Sequence, residues 1–107
     1  MKLWIDDQIN DPETPFRHPT KDFVGADSVE SAINAVKEFG YPTFLQLDHD
    51  LGMDKNGKEI KVMHFLQWLF DTFPDKLPPD YSVHSKNPEG INNIHSFMNS
   101  WKKAYYL

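Results

Sequence analysis

Cysteine is absent from the 107 residues, which excludes a disulfide framework, a thiol nucleophile and cysteine-bound zinc. Arginine occurs once, as Arg17, and eleven basic residues against sixteen acidic ones leave a net charge of -5. A protein that grips a nucleic-acid backbone by charge needs the opposite balance, so duplex DNA binding is not expected. No apolar run approaches a membrane span, and the start of the chain turns acidic at Asp6 and Asp7, too soon for a secretory signal. The five glycines are scattered, so no Gly-rich phosphate loop is present. Repeats and low-complexity tracts are also missing. These absences leave a soluble, cytoplasmic domain spanning residues 1–107 as the expectation.

Aromatics, by contrast, are plentiful: eight Phe, four Tyr and three Trp. A chain with that much apolar surface can offset its ordering entropy and fold. Leu3-Trp4-Ile5 reads as a buried strand that stops in Asp6-Asp7. Residues 8–21 hold Pro12, Pro15 and Pro19 without periodicity and read as a long loop. Phe23 to Ala26 is a weak second strand. Asp27, with Glu30 three residues on, is the expected cap of a helix whose apolar face is Val29, Ala32, Ile33 and Val36, ending at Gly40.

Thr43 to Leu47 is the next strand, again ending in acids at Asp48-His49-Asp50. Residues 51–57 read as a turn-rich loop, and residues 60–73 as a buried helix stopped before Pro74. Tyr81 to Val83 is the last strand, reaching His84-Ser85. Asn87 and Pro88 suit the cap and first position of a final helix with the stripe Ile91, Ile94, Met98, Trp101 and Tyr105.

Strands alternating with helices imply a parallel sheet with right-handed crossovers, and ligands of such sheets collect outside the carboxyl ends of the strands. The polar clusters fall at those ends: Asp6 and Asp7, Asp48 to Asp50, and His84 with Ser85. Carboxylates from adjacent strands repel one another in a shared pocket and favour a cation. Mg²⁺ or Mn²⁺, held by Asp6, Asp7, Asp48 and Asp50, answers that need, although spacing alone does not separate them from Ca²⁺. The plainer alternative has Asp6 and Asp7 merely ending a strand, with Asp48 and Asp50 as turn formers.

His84, and after it His49, are candidates for moving protons near neutral pH. A histidine bonded to a neighbouring carboxylate is the competing reading, and strand alternation weighs it more heavily on His49. His18, His64 and His95 read as structural or solvated. Ser85, Asn87 and the free N–H groups opening the last helix can seat an anion. Arg17, Lys21 and Lys86 are candidate clamps on a substrate, with solvated side chains as the alternative.

Three motifs in order, Lys2-Leu3-Trp4-Ile5-Asp6-Asp7, Leu47-Asp48-His49-Asp50-Leu51-Gly52 and Val83-His84-Ser85-Lys86-Asn87-Pro88-Glu89-Gly90, resemble the cyclic-phosphate-processing receiver-like domain family. That family is a divergent relative of the response-regulator receiver. The resemblance implies an α/β, flavodoxin-like three-layer fold with a reduced parallel sheet of about four strands in the order 2-1-3-4 and helices on both faces. It further implies that Asp6 and Asp7 are the receiver's acid pair and Asp48 its phosphoacceptor. The backbone carbonyl near Asp50 corresponds to a further Mg²⁺ ligand, and Ser85 to the hydroxyl that meets the phosphoryl group. The receiver's fifth strand and its lysine have no counterpart, so ordinary phosphorelay signalling is not expected. Gln8-Ile9-Asn10 stands where family members carry an arginine, so either Arg17 substitutes for it or the substrate is bound differently.

The function expected from these residues is a metal-dependent phosphoesterase acting on a cyclic phosphate of a nucleotide, RNA end or nucleotide derivative. The rival is a non-catalytic, degenerate receiver domain that binds a nucleotide or a partner protein. A phosphoacceptor at Asp48 is a third reading.

Overall fold

The computed structural model describes residues 1–9, 21–53 and 55–107, and Arg17 and His18, with most of the expected loop, lie outside them. In chain order the elements are β1 (Lys2–Ile5), β2 (Phe23–Ala26), α1 (Val29–Phe39), β3 (Phe44–Leu47), β4 (Asp50–Met53), β5 (Glu59–Lys61), α2 (Met63–Thr72), β6 (Asp80–Val83) and α3 (Pro88–Tyr105). β2, β1, β3 and β6 form a four-stranded sheet in that order, with every pair parallel. This is the expected flavodoxin-like order. No described helix is long and apolar enough to cross a membrane.

Register fixes the two faces of the sheet. Leu3 pairs with Val24 and Leu45, and Ile5 with Ala26 and Leu47, so these residues share one face. Leu3, Ile5, Leu45 and Leu47 are fully buried there. Burial of each such side chain contributes about 1.5–3 kcal/mol. Ala32 and Val36 of α1, Phe65, Leu66 and Leu69 of α2, and Ile94, Met98 and Trp101 of α3 complete the same cluster.

Helices on both faces are therefore not found among the described residues: all three helices pack on this one. Handedness explains why. The β2–α1–β3 and β3–α2–β6 crossovers step across the sheet in the same direction, so right-handed connections place both helices on the same side. Only the β1–β2 connection steps the other way, and residues 10–20 within it are not described. The second face carries Lys2, Trp4, Phe44, Gln46 and Ser82, half-buried or exposed.

Three local expectations are corrected. Ser28, rather than Asp27, caps α1: its Oγ accepts from the Ser31 N–H at 3.1 Å, and Ser31 Oγ accepts from the Ser28 N–H at 3.0 Å. Asp27 stays outside the helix and accepts from the Ser31 hydroxyl, while Glu30 is exposed and takes no part in the box. Residues 51–57 are not all loop, because β4 pairs antiparallel with β5, Asp50 opposite Lys61 and Met53 opposite Glu59. Ile60 and Lys61 are consequently strand, and α2 begins at Met63.

In α3 the stripe holds for Ile94, Met98 and Trp101, whereas Tyr105 is 43% exposed beyond the reach of the core. Asn87 caps α3 as expected, its side chain accepting from the Gly90 N–H.

Candidate active site

The hydrogen-bond ladder of the sheet runs one residue past each strand. The Asp6 N–H donates to the Ala26 carbonyl at 3.0 Å, Asp48 to Ile5 at 3.0 Å and His84 to Leu47 at 2.9 Å. Trp4, Gln46 and Ser82 stand side by side in register on the second face. Side chains repeat every two residues along a strand, so two steps on, Asp6, Asp48 and His84 share that face. One donor atom from each lies within 4.8 Å of the others. Asp6 is fully buried and Asp48 only 5% exposed.

His84 is held at both ring nitrogens. Nε2 lies 2.9 Å from Asp6 Oδ2, and Nδ1 lies 2.8 Å from the Gln46 amide nitrogen. The other oxygen of Asp6 accepts from the Gln8 N–H at 2.9 Å. The Trp4 ring packs against the imidazole, with centroids 5.5 Å apart. Trp4, Gln46, Asp48 and His84 form the floor of a cavity of about 930 Å³, with Asp6 buried outside its lining. Asp7 and Gln8 form one rim, and Asp50, Ser85, Lys86 and Asn87 the other.

The second rim is tied together by a closed circuit. His49 Nδ1 meets Asp50 Oδ1 at 2.8 Å, and Asn87 Nδ2 donates to Asp50 Oδ2 at 3.5 Å. Asn87 Oδ1 accepts from the Gly90 N–H at 3.1 Å. Gly90 closes the loop by contact, since a Cβ on it would fall 2.4 Å from His49 Cγ. Only glycine lets the first turn of α3 sit this close to the imidazole. Burial pushes the Asp50 carboxyl up, but hydrogen bonds involving His49, Glu59 and Asn87, with the His49 charge, outweigh it and hold Asp50 below its ordinary value.

Of the residues singled out from sequence, Asp6, Asp48 and His84 converge on one point, and Asp7, Asp50, Ser85, Lys86 and Asn87 line the same cavity. His49 does not line it: its ring is 1% exposed beneath Gly90, and its Nε2 meets no partner among the described residues. Lys21 is exposed and is not part of the cavity wall, and Arg17 lies outside the described residues.

Sequence reasoning missed Gln46 and Trp4. Parity could have found them, because each sits two residues before a site aspartate on the same strand, and Gln46 is a polar residue between two buried leucines.

Two buried carboxylates side by side favour a cation or a shared proton between them. Opposite ligands of a small divalent ion stand roughly 4 Å apart. Asp6, Asp48 and His84 offer ligand atoms within 4.8 Å of one another, a little wider than that, and two of the three are the oxygens that a hard ion takes. In the first turn of α3 the N–H groups of Gly90 and Ile91 are bonded to Asn87 and Pro88 carries none, which leaves the Glu89 N–H.

Residues 1–100 match the family model described as the cyclic-phosphate processing receiver domain. No curated protein and no solved structure shows significant similarity to the chain.

Proposed function

The chain belongs to the cyclic-phosphate processing receiver family, and we propose that it is a metal-dependent phosphoesterase that opens a cyclic phosphate on a nucleotide, an RNA end or a nucleotide derivative. The observation that carries this reading is the meeting of Asp6, Asp48 and His84 within 4.8 Å, at the floor of a cavity whose wall reaches Asn87, the cap of α3. Asp48 and Asp7, with Asp6 beside them, would be the oxygen donors holding Mg²⁺ or Mn²⁺. A bound ion would offset the negative pocket and acidify a water. His84 carries the proton between water and the leaving oxygen. Ser85, Lys86, Asn87 and the Glu89 N–H at the start of α3 receive the phosphate oxygens. His49 supports this seat from below, and Asp50 joins it to Asn87.

The test is hydrolysis of 2′,3′-cyclic and linear phosphodiesters with and without Mg²⁺ or Mn²⁺. Asp48→Asn and His84→Ala are each expected to lose about 10²–10⁴-fold in turnover. Activity unchanged in both variants overturns the mechanism. Tight nucleotide binding with no product after long incubation would leave a ligand-binding receiver domain in its place.

A further inference from the structure

An indole that serves the core buries its rings and gives its N–H a partner. Trp101 does both: it is 2% exposed, and its Nε1 donates to the Lys76 carbonyl at 3.1 Å. Trp4 does neither. It is half-buried on the sheet face away from the helices, and its Nε1 meets no partner among the described residues. Ring packing sets its place instead, with Phe23 edge-on at 5.4 Å and the His84 imidazole at 5.5 Å. Its register partner on β2 is Gly25, which adds no side chain to that flank, and its partner on β3 is Gln46 of the cavity floor.

The rest of the lining narrows what this ring can meet. A cavity of about 930 Å³ is of the size that encloses a small organic molecule rather than a bare phosphate. It sets the carboxylates of Asp7, Asp48 and Asp50 against one cation, Lys86, so without a metal it offers an anion little. Its apolar residues are Trp4 and Val83, and Trp4 supplies the broad aromatic surface. Trp4 and Asp6 lie two residues apart on one strand face, about 6.6 Å. One sugar between a base and a phosphate spans a similar gap.

We propose that Trp4 is a substrate-binding residue, the platform on which the ligand's nucleobase stacks while its phosphate lies one sugar away, at Asp48 and the α3 rim. This rests on the reading of that rim as the phosphate seat, and it narrows the substrate to a nucleoside whose base and phosphate share one ribose. Stacking of a base on an aromatic ring changes affinity by about 10–100-fold and tolerates any base. It needs no charge, so the platform also accepts an uncharged nucleoside.

Proton NMR of the wild type, titrated without metal with adenosine and separately with ribose, reads the contact directly. Adenosine is expected to shift the Trp4 ring protons upfield, and ribose to leave them in place. Trp4 protons that stay put with adenosine, or move as far with ribose, overturn the proposal whether or not any variant folds. Turnover gives a second measure. Adenosine 2′,3′-cyclic phosphate is expected to show a KM about 10–100-fold below that of methyl riboside 2,3-cyclic phosphate. Trp4→Phe should keep most of that preference, and Trp4→Leu should lose it through KM. A leucine variant as selective as the wild type overturns the proposal. Should neither compound be hydrolysed while adenosine still shifts Trp4, the enzymatic reading fails and the platform stands. Hydrolysis of both with equal KM has the opposite meaning.

Discussion

Asp50 shows two forces meeting on one carboxyl. Burial pushes it up, and the hydrogen bonds involving His49, Glu59 and Asn87, with the His49 charge, together prevail. A carboxyl held below its unfolded value contributes stability above the unfolded pKa and loses it as pH falls through the folded one. Asp50→Asn is therefore expected to melt below the wild type at pH 7, with the gap closing below about pH 4. Thermal melts across that range check it.

Asp48 gives a second prediction with no reference to turnover. Mg²⁺ or Mn²⁺ should raise the melting temperature of the wild type as a ligand of the native state does, and leave Asp48→Asn unmoved. The meeting of Asp6, Asp48 and His84 was legible in sequence because a parallel sheet carries the ends of its strands to one edge. Gln46 and Trp4 were not, since an amide and an indole in a strand read as filler until register shows which face they share.

Among the elements, the N-termini of α1 and α3 show how local choices settle. At α1 two candidates compete for the cap, and Ser28 prevails because its hydroxyl and that of Ser31 satisfy each other's backbone N–H groups. Ser28→Ala is expected to cost about 1 kcal/mol in denaturant unfolding.

At α3 the constraint comes from beneath. A methyl at Gly90 must displace the His49 ring, so Gly90→Ala is expected to cost about 1–3 kcal/mol. Most of that cost should vanish when the change is made in a His49→Ala background, because the obstacle is then gone. A double-mutant cycle measures the difference. The β4–β5 hairpin was the element least legible in sequence. Its strands are four and three residues long, and Gly52 interrupts the first at φ 84°, so no alternation announces them.

For the molecule as a whole, strand order followed from the alternation of strands and helices with the family resemblance, but the one-sided stacking of helices did not. Amphipathic stripes say that a helix covers something without saying which side of the sheet it covers. The two faces should differ in what they contribute. Phe65 is fully buried in the helix-covered cluster, and Phe65→Ala is expected to cost about 3–5 kcal/mol. Phe44 lies half-buried on the other face, and Phe44→Ala should cost roughly half as much. Denaturant midpoints for the two variants make the comparison.

Asp6, Asp48 and His84 each hang from a backbone nitrogen fastened to the neighbouring strand. Adjacent strands lie about 4.8 Å apart, a dimension fixed by hydrogen-bond length rather than by side-chain choice. The triangle they span thus has corners that cannot spread without unzipping the sheet edge. Whatever sits between them is gauged by a ruler the backbone supplies, and adjustment to larger or smaller guests falls to the rim, where Asp7 and Lys86 stand exposed.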